Sequence, residues 1–141
     1  MELTSSYILA VAEQLSFVSA FLGGVSTTIL VTIVVFTSPK KSVNWIVGSS
    51  ALAASSLLIA VIASWRLSIL LHPDLPTSVE QSIIMMLWSG MIIGYIMGFI
   101  GLLTSIGLSG WLRSKQTGII TSSISVVAVL FFVLATPFGI S

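Results

Sequence analysis

Four apolar runs, at residues 15–36, 44–65, 82–109 and 118–137, contain no charged side chain. A helix needs about 20 apolar residues to cross about 30 Å of hydrocarbon, and each run reaches that length or exceeds it. All five basic and four acidic residues fall outside the runs. Hydrophobic residues make up 56% of the chain and charged residues only 6%, against about 25% charged in an ordinary soluble domain. The solvent such a chain is built for is a bilayer. The expectation is an all-α integral membrane protein, a four-transmembrane-helix bundle assembled as a homo-oligomer. Residues 1–141 then form a single membrane domain with helices at about 8–36, 43–71, 79–110 and 118–137.

A barrel is the other way to satisfy a backbone in lipid, but barrel strands alternate apolar and polar residues. The stretch Ile29-Leu30-Val31-Thr32-Ile33-Val34-Val35-Phe36 is apolar but for one threonine, so it reads as helix. The first run follows Glu2 rather than a basic leader and continues to Phe36, longer than the short core of a cleaved signal. It is read as a retained span. With no cysteine in the chain, disulfides, thiolate catalysis and iron–sulfur ligation are excluded.

Loop charge sets the expected orientation. Residues 37–42 carry Lys40 and Lys41, and residues 111–117 carry Arg113 and Lys115, whereas the 72–81 loop carries Asp74 and Glu80. Basic loops stay cytoplasmic, so both termini and the 72–81 loop are expected outside. Trp45 and Trp111 beside the basic loops, and Trp65 and Trp88 toward the other ends, suit the two interfaces. Pro39, Pro73 and Pro76 interrupt helices, and Thr77 and Ser78, followed by Glu80 and Gln81, read as a capping box that starts the third.

At about 1.5 Å per residue, Glu13 lies one turn outside the first span, and Arg66 reaches the same outer level at the end of the second. An acid at a membrane boundary is by default a functional candidate with a partner. Glu13 is therefore either an ion-pair partner of Arg66 or the carboxylate at the mouth of a cation path. Along the first helix Glu13, Ser16, Ala20, Gly24, Thr27 and Val31 share one face. This small face either packs on another helix or lines a water-filled path. The opposite face, with Leu15, Val18, Leu22, Val25, Ile29 and Ile33, reads as lipid-facing. On the third helix Gly90, Gly94, Gly98, Gly101 and Ser105 form a small stripe suited to close helix packing.

Catalytic chemistry has little to stand on. His72 is the only histidine, set in a loop between Leu71 and Pro73, and one histidine cannot complete a bis-histidine haem site. No spacing of His, Asp and Glu recommends a metal site. The expectation is a non-enzyme with no cofactor, no metal and no nucleic-acid partner. Its partners are membrane lipids and either copies of itself or other membrane subunits.

Glu13 on the first helix and Trp88-Ser89-Gly90 on the third are similar to features of the small multidrug resistance exporters, which are also short four-helix proteins. That resemblance implies proton-coupled export. The chain departs from the family in the shallow depth of Glu13 and in its marked loop charge bias. Store-operated calcium channels look similar in plan, with four-helix subunits and an acidic residue on a pore-lining first helix, although their termini lie in the cytoplasm. The function expected is a homo-oligomeric channel or pore for cations. A non-catalytic subunit of a larger membrane complex and a small proton-coupled exporter remain as alternatives.

Overall fold

The computed structural model describes residues 5–36, 41–72 and 80–135. They form four helices: α1 (Ser5–Phe36), α2 (Lys41–Leu70), α3 (Gln81–Ser109) and α4 (Lys115–Ala135), with a 3-10 turn at Gly110–Leu112. All four are long and apolar enough to cross a membrane, as in a multi-pass membrane protein. At about 1.5 Å per residue, the 32, 30 and 29 residues of α1, α2 and α3 overrun the hydrocarbon thickness, while the 21 of α4 just span it.

Several boundaries differ from the sequence reading, among them the starts of α1, at Ser5 rather than 8, and of α2, at Lys41 rather than 43. Helix α4 begins at Lys115 rather than 118, because the Ser114 hydroxyl accepts the Thr117 backbone N–H at 3.1 Å and so caps the helix. Helix α3 begins at Gln81 rather than 79. Glu80 holds its N-cap in extended backbone without a side-chain cap bond; Thr77 and Ser78 lie outside the described residues, as do Pro39, Lys40, Pro73, Asp74 and Pro76.

The packing order follows residue size. Helix α2 meets both α1 and α3 along its length, and α3 makes its widest contact with α2. Ile46, Ala53, Leu57, Ala60 and Leu67 of α2 are all fully buried. Helix α1 reaches α3 chiefly through the two ends. At one, Ala12, Ala63, Leu67 and Met91 cluster with Val11, Leu71 and Trp88 around them. At the other, Ile33, Val43 and Ile46 pack with Leu108 and Leu112. At the first of these ends Val11 and Ala12 of α1 pack with Leu67 and Leu71 of α2, while Tyr7 and Ile69 stay exposed.

Among the described residues α4 touches only α3 and the 3-10 turn. The arrangement is a three-helix core with a flanking fourth helix rather than a closed four-helix bundle. Ile120, Ile124, Val127, Leu130, Phe131 and Leu134 of α4 are exposed, a surface fit for lipid.

Candidate functional site

Helix α1 turns inward a seam of its own: Ala12, Ser19, Ser26 and Ile33, each seven residues from the last and all buried. Seven-residue spacing is what keeps one line of a helix against its neighbour. Ser26 Oγ donates to the Ser50 carbonyl at 2.9 Å across this seam. Ser19 Oγ and Ser50 Oγ are buried there without a hydrogen-bond partner. The seam runs between the two faces distinguished from the sequence. The bulky face is therefore not simply lipid-facing, since Ile33 is buried and Leu15 and Ile29 pack against the end clusters.

The small face is left open. Glu13, Ala20, Gly24, Thr27 and Val31 are exposed and Ser16 is half-buried. A Cβ built on Gly24 would meet nothing within 4 Å, so no packing inside the chain calls for glycine there. Beside this face a groove of about 420 Å³ separates α1 from α2, with Ser19, Gly23 and Thr27 on one side and Ala54 and Ser55 on the other. Thr27, Thr28 and Thr32 donate their hydroxyls to the carbonyls of Gly23, Gly24 and Thr28, at 2.9, 2.9 and 2.7 Å. With the protons so held, each oxygen keeps acceptor capacity on an exposed surface.

Glu13 and Arg66 do not form the ion pair considered from their depth. Both are exposed, and neither takes part in a salt bridge among the described residues. No group of three or more His, Cys, Asp or Glu side chains that could hold a metal occurs among those residues either.

The glycine stripe of α3 lies on α2. A Cβ on Gly94 would stand 2.9 Å from the Ser56 carbonyl oxygen and 3.2 Å from the Ala60 nitrogen. One on Gly101 would stand 3.2 Å from both the Ala53 Cβ and the Ser49 oxygen, and Gly98 faces Leu57. Ser105 is buried and donates to the Leu102 carbonyl at 2.8 Å. Gly90 differs from the rest of the stripe: a Cβ there would meet nothing within 4 Å, because at that level α3 is held by Leu87, Trp88 and Met91.

A second glycine contact, not anticipated from the sequence, fastens α4. The Gly107 carbonyl accepts from Thr121 Oγ1 at 3.0 Å and from Ser122 Oγ at 3.2 Å. The indole N–H of Trp111 donates to Ser122 Oγ at 3.0 Å, and its ring lies against Gly118. The readable signal was a set of glycines at 107, 110 and 118 flanking Thr121 and Ser122. At the far end of α4, Phe132 packs on Phe99 with ring centroids 4.6 Å apart. No protein-family model, curated protein or solved structure gives a significant match to this chain.

Proposed function

We propose that the chain assembles with copies of itself into a channel or pore for small cations, with α1 beside the path. The observation that carries this reading is the open face of α1, where a carboxylate, hydroxyls and a glycine are exposed over the length of a membrane span. Lipid gives such a face little: the small residues offer few dispersion contacts, and the carboxylate sits at the hydrocarbon boundary. A neighbouring helix or water satisfies it better. Cations suit the surface because its one charge, Glu13, is negative. The hydroxyl oxygens of Thr27, Thr28 and Thr32 remain acceptors, as in filters built from oxygen dipoles. The topology that goes with this reading has both termini and the 72–81 loop outside.

The test is a reversal potential for the purified protein in a planar bilayer under a potassium chloride gradient. A unitary conductance with its reversal potential displaced toward that of potassium is the expected result. A bilayer that stays silent with oligomeric protein inserted removes the channel and favours a structural subunit of a larger complex.

A further inference from the structure

Glu13 and Arg66 stand at one level of the α1–α2 pair yet have no counter-ion among the described residues. Ala12 and Leu67, the residues beside them, meet in one packed cluster, and Ile33 meets Ile46 at the other end. The antiparallel α1 and α2 therefore hold one register throughout. On its exposed side α2 carries a row of its own at spacings of three and four: Gly48, Leu52, Ser55, Ile59, Ile62 and Arg66, all exposed, with Ser55 at the lip of the groove beside α1. In this register Arg66 is level with Glu13, Ile62 with Ser16, Ile59 with Ala20, Ser55 with Gly24, Leu52 with Thr27 and Gly48 with Val31.

The two rows are complementary. Leu52, Ile59 and Ile62 are 51%, 57% and 51% exposed and stand level with threonine, alanine and serine. Where α2 shrinks to Gly48, with nothing within 4 Å of a Cβ, α1 offers Val31, itself 51% exposed. At the outer rim a carboxylate is level with a guanidinium. The α2 row is exposed throughout, and so is the α1 row but for half-buried Ser16.

We infer that the open face of α1 is covered by the α2 row of a second copy of this chain, with Glu13 of one copy paired to Arg66 of the next. Copies related by an axis along the membrane normal keep every residue at its own depth, so the level pairs inside one chain become facing pairs between two. Bulk enters the small face, and the pair forms at the partly dry rim, where an arginine fork holds a carboxylate best. This pairing rests on the homo-oligomer of the reading above but replaces the pore-mouth role of Glu13, since the carboxylate and the small face then lie in the contact between copies.

The cysteine-free chain lets oxidative cross-linking read this contact directly. Differently tagged Ala20→Cys and Ile59→Cys chains, co-expressed in one membrane, should yield a disulfide-linked heterodimer. Ala20→Cys paired with Val127→Cys on α4 should not, nor should Ala20→Cys alone. Glu13→Arg should reduce the linked product and Glu13→Arg with Arg66→Glu should recover it. Light scattering on the same preparations separates the two failures. Oligomeric protein that links through Ala20→Cys alone, or never links Ala20 to Ile59, overturns the pairing of α1 with α2. Monomeric protein overturns the homo-oligomer beneath it as well.

Discussion

Ser26 donates its hydroxyl to the main-chain oxygen of Ser50 at 2.9 Å, in the buried seam between α1 and α2. The Ser50 carbonyl belongs to a helix, so removing the donor leaves no orphan acceptor. Ser26→Ala should cost about 0.6 kcal/mol, in line with interhelical hydrogen bonds in membranes. Ser26→Leu, which forces bulk into the same seam, should cost about 1–3 kcal/mol. Thermal unfolding of each variant in detergent checks the order, and equal melting temperatures would contradict the seam.

Two glycines four residues apart on α3 should respond with opposite signs. Gly94→Ala brings a methyl group to 2.9 Å from the Ser56 oxygen, which belongs to backbone and cannot swing aside. It should destabilise by about 1–3 kcal/mol. Gly90→Ala meets nothing within 4 Å and should be neutral or stabilising, by up to about 1 kcal/mol of helix propensity. The comparison is read from melting curves of the two variants side by side.

The attachment of α4 depends on a few polar contacts around Gly107. Trp111→Phe keeps a ring near Gly118 and removes the N–H that reaches Ser122 at 3.0 Å, a loss of about 1 kcal/mol. Gly110→Ala should be worse, since its methyl group would collide with Thr121. Limited proteolysis should cut the Arg113 connection sooner in Gly110→Ala than in Trp111→Phe, and last in the wild type.

Orientation is tested by labelling. With single cysteines at Ser38, Thr77 and Gln116, an impermeant thiol reagent added outside intact cells should reach only Thr77→Cys. Labelling at Ser38→Cys or Gln116→Cys instead would reverse the topology that the basic loops imply.

The four helices were legible because the bilayer imposes a length and excludes charge, and both leave plain marks on 141 residues. The seat of α3 was legible for a similar reason, since Gly94, Gly98 and Gly101 repeat at close-approach spacing. The inward face of α1 was not. Its seam mixes Ala12, Ser19, Ser26 and Ile33, and in lipid an interface is chosen by shape rather than by hydrophobicity, so size alone misassigned Ile33 to the lipid side. The outward place of α4 was legible in its large apolar stretch from Val126 to Leu134, which reads as lipid-facing, but its seat was not. It follows from contacts confined to α3 and the 3-10 turn, set by Gly107, Thr121 and Ser122. Counting residues put Glu13 and Arg66 at one depth, but depth does not say whether two charges meet within a chain or between chains.

The mass of the purified protein in a mild detergent tests the central claim most directly. One chain is 14.9 kDa, and static light scattering with the detergent contribution subtracted should return a whole-number multiple of it, two or more, held over a range of dilution. A particle of one chain, unchanged as concentration rises or when native lipid is kept bound, would contradict the account.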